Sequence, residues 1–359
     1  MRIVIAVTND LSYDQRMIRI CRSLAAAGHA VTIVGRLRPD SAALGVAPYG
    51  QRRLGGWFET GPLFYAEHNL RLFLRLVTMR ADLYWAVDLD TVLAVWLSSV
   101  VRGCRRLLDA HELFCEMREL RDRPFTRAVW RFVEARMVPR FPTGCTVSAS
   151  IAAHYRARFG VSYAVVRNIP PLRDRAVRDA PGDFILYQGA VNEGRCFEQL
   201  IPAMAGVDLP LHIYGKGNFL ERAKALVRRH GLEGKVLFRG VLPPEALAKV
   251  TPGARIGISL FEDGVLQNRW SLANRFFDFI HAGVPQVCSD FPEYRAVVDR
   301  FPVALLLARQ GPEDIAEALN KIIRNQVLHS TMQEACRPAA EAYRWQTEEK
   351  VLLAILEAR

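Results

Sequence analysis

Twice along this 359-residue chain, short apolar runs alternate with stretches of helical periodicity, and that repeated alternation leaves few architectures open. In the first series Ile3–Val7, Ala30–Val34, Leu83–Val87, Arg106–Asp109 and Gly144–Val147 read as strands. Periodicity through Met17, Ile18, Cys21 and Leu24 to Gly28 marks a helix, and more helices are expected over 66–79, 90–100, 123–138 and 149–158. The pattern restarts with strands at Phe184–Tyr187, Leu211–Tyr214, Val236–Phe238, Ile256–Phe261, Gln286–Cys288 and Val303–Leu307. Helices are expected there over 197–205, 219–230, from Pro243–Pro244 to Val250, 271–282 and 312–323, with one or two closing helices over 332–357. Strand–helix–strand units of this kind build doubly wound sheets. The expected fold is α/β, with one domain over 1–170, a second over 171–330 and closing helices over 331–359. The crossing falls at Asn168–Leu172 and the charged Arg173–Asp183.

Half the residues are apolar, enough for a sizeable core in each domain. The seven cysteines show no C-x-x-C spacing and read as reduced, mostly buried residues of a cytoplasmic chain. No uninterrupted apolar window reaches the ~18 residues of a membrane span, and the opening apolar run is too short for a signal peptide. Charge is uneven: residues 1–170 hold 24 Arg, no Lys and 14 acids, whereas 171–359 hold 18 Arg, 6 Lys and 23 acids. The first half therefore suits an anionic partner, whether a membrane surface, a phosphorylated lipid or a nucleic acid. Residues 118–133 interleave arginines with Phe125, Val129, Trp130 and Phe132, and 70–80 mix Leu, Phe and three arginines. Both segments suit an anionic lipid surface, and equally suit helices that pack on a sheet with snorkelling arginines. No aromatic-and-basic strand module or compact helical reader supports nucleic acid as the partner.

Candidate chemistry gathers in the loops after strands, where α/β folds bind ligands. Asn9–Arg16 fills the first such loop without a G-x-G-x-x-G, which argues against a dinucleotide fingerprint. Asp14 and Arg16 either cap the helix or face a ligand. His111, in Asp109-Ala-His111-Glu112, can donate a hydrogen bond or take a proton near neutral pH, or can simply bond the loop backbone. In the second series, Gly189 to Arg195 offers exposed amides and a guanidinium suited to a diphosphate, and Gly215-Lys216-Gly217 repeats that geometry one strand later. Within Ser271–Asp290 the i, i+3 and i+4 spacing lets Asn274, Arg275 and Asp278 share a helix face, with Leu272 just before it. The loops after strands are read as free of a D-x-D-type acidic cluster, so no metal ion is expected.

These motifs together resemble the GT-B glycosyltransferases, closest to the family 4 retaining enzymes: Asp14-Gln15-Arg16, His111-Glu112, Asn168, the Gly189 to Arg195 loop, and Asn274 to Pro285. The resemblance implies two Rossmann-like domains facing across a cleft, with a C-terminal helix crossing back. It implies transfer of a hexosyl group from a UDP- or GDP-sugar to a hydroxyl of a glycan or lipid-linked acceptor, without a metal. By the same resemblance Asp278 takes the place of the ribose-binding glutamate, Arg195 that of a phosphate-binding lysine, and His111 that of the histidine near donor sugar and acceptor. Asp14 and Arg16 border the acceptor side, so the catalytic set is His111, Asp14 and Arg195. The donor set is Gly189, Arg195, Gly215, Lys216, Leu272, Asn274, Arg275 and Asp278. The expected setting is the cytoplasm or the inner face of the cell membrane, in polysaccharide or glycolipid synthesis.

Two departures stand out. Trp270 occupies the position of the first Glu of E-x7-E, leaving Glu262 or Asp263 as substitutes, and Ala190 replaces the usual arginine, leaving Lys216 or Arg275 to compensate. They leave open a non-catalytic glycan-assembly protein, and a nucleotide-sugar epimerase of similar architecture is the other alternative.

Overall fold

A computed structural model describes residues 1–12, 14–39, 41–172 and 182–357. Most of the predicted crossing, 173–181, lies outside the described residues. Two compact units emerge: Met1–Asn168 with Glu348–Arg359, and Ile169–Thr347.

In the first unit the strands are β1 (Arg2–Ala6), β2 (Ala30–Arg36), β3 (Gly50–Leu54), β4 (Leu83–Val87), β5 (Arg105–Ala110), β6 (Gly144–Thr146) and β7 (Ala164–Val165). They pair in the order β3-β2-β1-β4-β5-β6-β7, and every pairing is parallel. The connections carry α1 (Gln15–Ala26), α2 (Gly61–Val77), α3 (Val92–Arg102), α4 (Pro124–Met137) and α5 (Ala149–Phe159). Helices cover the sheet, so its central strand β4 is apolar without interruption: all of Leu83–Val87 is buried. β3 was not expected. Its sequence, Gly-Gln-Arg-Arg-Leu, has no apolar run, and it pairs only with β2, at the sheet edge where polar side chains are tolerated.

The second unit holds β8 (Ile185–Gln188), β9 (Leu211–Tyr214), β10 (Val236–Phe238), β11 (Ile256–Ser259), β12 (Gln286–Ser289) and β13 (Ala304–Leu307). Their order is β10-β9-β8-β11-β12-β13, again parallel throughout. The helices are α6 (Phe197–Ala203), α7 (Leu220–Arg229), α8 (Pro244–Val250), α9 (Leu266–Trp270), α10 (Asn274–Ala282), α11 (Pro292–Val298), α12 (Pro312–Arg324) and α13 (Gln326–Ala342). The helix expected from 271 begins at Asn274, because Ser271 and Ala273 are extended. Gly283, at φ 71°, closes α10 in the left-handed conformation that favours glycine. A large apolar core joins β8, β9 and β11 to α6, α7 and α12.

The last helix, α14 (Trp345–Glu357), starts in the second unit, where the Trp345 amide donates to the Pro170 carbonyl. From Glu348 onward it belongs to the first. Glu348 is buried and accepts from the Arg167 amide at 2.7 Å and its guanidinium at 3.3 Å. Residues 331–347, expected among the closing helices, instead belong to the second unit, where Cys336, Ala339 and Ala340 join an apolar cluster with Phe276 and Phe277.

Candidate functional site

Both sheets change direction of winding beside their first strand, at β1/β4 and β8/β11, and the carboxyl ends there are where such folds take ligands. In the second unit β8 ends at Gln188, and the chain turns at Gly189 with φ 123°, a conformation side chains resist. Gly215 follows β9 so closely that a Cβ on it would lie 1.8 Å from the Gly189 carbonyl oxygen. The two glycine loops are thus one structure: Gly189 N donates to Tyr214 O at 2.9 Å, and Val191 N to Lys216 O at 3.0 Å. Asn192 and Asn218 tie them again, each side chain accepting from backbone amides of the other loop. Lys216 is exposed, and only its carbonyl takes part in this tie.

Arg275 lies over these loops. It is 8 % exposed, and its guanidinium carbon sits 4.6 Å from the centroids of both Tyr187 and Phe261. Nη1 reaches the Tyr187 hydroxyl at 3.3 Å and would be 3.4 Å from a Cβ on Gly189. Its Nε and Nη2 are buried with no hydrogen-bond partner among the described residues. A buried cation with idle donors is costly unless an anion completes it. Arg195 places its guanidinium 4.4 Å from the centroid of the same Phe261 ring. Two guanidinium groups thus share one aromatic ring beside amide-rich loops, an arrangement suited to a diphosphate.

Asp278 stands one turn along α10 and accepts from Gln188 Nε2 at 3.2 Å, while the Thr251 hydroxyl donates to Gln188 Oε1 at 2.8 Å. That chain fixes Asp278 at the end of β8. Asn274 is exposed at the first turn of α10. Leu272 packs against the apolar cluster of Phe276 and Phe277, which accounts for it by core packing. Of the two substitute carboxylates, Asp263 is engaged by Arg269 at 2.6 Å, an ion pair at the surface. Glu262 is the one fastened to the phosphate-type loop, its amide donating to Gly194 O at 2.9 Å.

The first unit holds a separate cluster of charges. Asp14 caps α1, accepting from Met17 N at 3.0 Å. Arg16 does not face a ligand: it is 3 % exposed, with its guanidinium on Asp109 at 2.8 and 3.3 Å and on the Val166 carbonyl at 2.6 Å. The reason is positional, since the second residue of α1 points under the ends of β5 and β7 rather than outward. His111 Nε2 lies 2.9 Å from Asp109 and Nδ1 lies 3.7 Å from Asp88. The partners that orient the ring are therefore Asp109 and Asp88, not the neighbouring Glu112.

Burial alone would raise the Asp109 carboxyl, but Arg16 and His111 hold it well below the usual range. Burial would lower His111, but Asp109 and Asp88 raise it. Burial, with Glu112 and Asp90 nearby, pushes Asp88 up to about 8 against the pull of His111. Asp90, also buried and bonded by Thr8 at 2.7 Å, is pushed up to about 7. Sequence reasoning overlooked Asp88 and Asp90: the expectation that no D-x-D follows a strand fails, since Asp88-Leu-Asp90 directly follows β4. It also had no means of finding Tyr187 and Phe261, which read as ordinary strand residues.

Residues 15–176 match the family model Glycosyltransferase Family 4, and residues 169–342 match Glycosyl transferases group 1. Among solved structures, sucrose-phosphate synthase from Thermosynechococcus elongatus aligns with a TM-score of 0.81 at 17 % identity, over 99 % of this chain and 98 % of that one. Anabaena Alr3699/HepE, solved with UDP and glucose, aligns with a TM-score of 0.79 at 12 % identity over the whole of both chains. WaaG, a glycosyltransferase involved in lipopolysaccharide biosynthesis, aligns at 0.72 and 13 %, over 98 % of this chain and 99 % of that one. No curated protein sequence matches the chain. Two parallel Rossmann-like sheets in tandem, each under its own family model, define the class: the chain is a glycosyltransferase, an enzyme of the GT4-like group with the GT-B fold.

Proposed function

We propose that this enzyme transfers a hexosyl group from a UDP- or GDP-sugar to a hydroxyl of a glycan or lipid-linked acceptor, with retention of configuration and without a metal ion. The observation that carries the donor reading is Arg275, a buried guanidinium with two idle donors stacked between Tyr187 and Phe261. A nucleoside diphosphate supplies the anion it lacks. As the glycosidic bond to the diphosphate breaks, negative charge grows on the leaving oxygens, and Arg275, Arg195, Lys216 and the loop amides stabilise it. Asp278 accepts from the ribose hydroxyls, and the leaving phosphate takes the acceptor proton. His111 and the first unit serve the acceptor and the donor sugar. The complex of the Anabaena protein with UDP-glucose supports a uridine donor as the first to try.

A thermal-shift panel of UDP-, GDP-, ADP- and dTDP-sugars tests this. A matching donor at a hundredfold excess over its Kd adds about 2.7 kcal/mol of stability. One nucleotide class should raise the melting temperature of the wild type and fail to do so with Arg195→Ala and Asp278→Ala. Silence from every nucleotide would remove the donor reading.

The acceptor reading includes contact with an anionic membrane, in line with a place in cell-surface polysaccharide or glycolipid synthesis. It is supported by outward apolar stripes on three helices: Leu70 and Leu74 on α2, Val100 and Val101 on α3, Phe125 and Phe132 on α4, all exposed. Arginines lie among them, Arg136 with its guanidinium 5.2 Å from the Phe132 ring and Arg140 5.4 Å from Trp96. No described helix is long and apolar enough to cross a membrane. The protein should sediment with phosphatidylglycerol vesicles at low salt and less so at moderate salt. The double variant F125D/F132D should stay in the supernatant. Failure of the wild type to sediment at low salt discards the membrane contact.

A further inference from the structure

Gln188 is the last residue of β8, in register with Tyr214 of β9, and it is buried. Ile185, Leu186 and Tyr187 precede it, and an amide in such a strand costs free energy unless its polar atoms are bonded. Its Nε2 donates to Asp278 Oδ2 at 3.2 Å. The Thr251 hydroxyl, buried as well, lies 2.8 Å from Gln188 Oε1 and 2.8 Å from the Leu247 carbonyl. That hydroxyl has a single proton and two acceptors in reach. Asp278 decides which way the amide turns: a carboxylate only accepts, so the amide presents its nitrogen there and its oxygen to the hydroxyl. Turned the other way, Oε1 would face Asp278, oxygen against oxygen.

Building on the proposed donor site, we infer that Gln188 is a positioning residue for Asp278, and that it thereby sets a preference for a ribonucleotide over its 2′-deoxy counterpart. A carboxylate that can turn meets a ribose diol in only some of its orientations. Holding one oxygen fixes the plane in which the group accepts, so less is lost when the hydroxyls arrive. The tie to Gln188 does not exhaust the carboxylate, which offers roughly four lone-pair sites. The same strand end also reaches the phosphate side, since the Tyr187 hydroxyl accepts from Arg275 Nη1 at 3.3 Å. Arg275 and Asp278 are three residues apart on α10, so their Cβ atoms lie about 5–6 Å apart. That separation is comparable with the one between the ribose hydroxyls and the phosphates of a nucleotide. Two consecutive residues of β8 therefore set the two side chains of α10 that take neighbouring parts of one donor, and all four lie within the second unit.

Isothermal titration calorimetry of the full chain with UDP, GDP and the 2′-deoxy form of each reads the claim as a ratio of affinities. The wild type should bind the responding ribonucleotide about tenfold more tightly than its deoxy form, which lacks a hydroxyl that would bond a charged group. Gln188→Met is close in volume and carries neither donor nor acceptor, so it should bring that ratio to about threefold or less while the deoxy form binds within about threefold of wild type. Thr251→Val leaves Gln188 and Asp278 in place and should move the ratio the same way by less. In an Asp278→Ala background Gln188→Met should leave the ratio where it is, because the amide acts through the carboxylate. A ratio that neither variant moves, an equal loss of both forms in Gln188→Met, or a further change in the Asp278→Ala background overturns the inference. A wild type that binds both forms alike removes the ribose contact and the role of Gln188 with it, while the diphosphate reading of Arg275 stands. Failure of the wild type to bind any of the four nucleotides removes the donor reading itself, and the inference falls with it.

Discussion

Arg275→Met abolishes the response to donor while leaving the ligand-free protein as stable as the wild type or more so. The two halves of this expectation have one cause. In the free protein the guanidinium is buried with Nε and Nη2 unpaired, and each unmade buried hydrogen bond costs about 1–3 kcal/mol. Methionine keeps the length of the side chain, fills the slot between Tyr187 and Phe261, and brings no donor to leave idle. The cation–π contacts that are lost return only about 0.5–2 kcal/mol. With donor bound, the balance reverses. The diphosphate loses a charge-assisted partner at the point where negative charge develops, which lowers the transfer rate by about 10²–10³-fold. Chemical denaturation without ligand, beside thermal shift with the responding nucleotide, reads both halves. Loss of ligand-free stability by more than about 1 kcal/mol would mean that Arg275 is a structural residue.

Arg16→Met should be the most destabilising single change in the first unit, by about 3–5 kcal/mol at neutral pH. The cost lies in what remains, since Asp109, fully buried, keeps its charge without its guanidinium. The pH dependence follows from the carboxyl. Asp109 titrates well below its ordinary value in the folded protein, so its contribution is present above the unfolded carboxyl range and is lost as pH falls through its folded value. Without Arg16 the folded value rises, and the variant loses less on acidification than the wild type, so the gap between the two narrows toward pH 3–4. Asp109→Asn added to Arg16→Met should recover part of the loss, because a neutral amide needs no cation. Urea denaturation of both single variants and the double variant at pH 7 and pH 4 checks this. Purely additive effects would show that the pair is not coupled.

Fold class was legible because the central strands carry it locally. Leu83–Val87 is a continuous apolar run, and only a strand buried on both faces needs one. What escaped depends on context. The edge strand β3 is polar, and α11 is a seven-residue helix announced only by Pro292 at its start. The site divides in the same way. Gly189, Gly215, Arg195 and Asp278 stood out from loop chemistry, and the structure brings their loops together. Arg275 was legible from its spacing with Asn274 and Asp278 and as a substitute for an absent arginine, but its burial was not, since that depends on Tyr187, 88 residues earlier. Arg16 was misjudged for a similar reason: its partners lie 93 and 150 residues away, and nothing near it in sequence distinguishes a buried guanidinium from an exposed one.

The path of α14 sets an order of construction. The second unit is one unbroken stretch of chain, but the first requires residues from Glu348 onward, where Glu348 holds Arg167 and the Leu356 carbonyl accepts from Arg105. A ribosome releases those residues only after the whole second unit has emerged, so the half synthesised first is finished last. Until then the nascent β-sheet of the leading half waits without its final helix, and the trailing half can complete its own folding ahead of it.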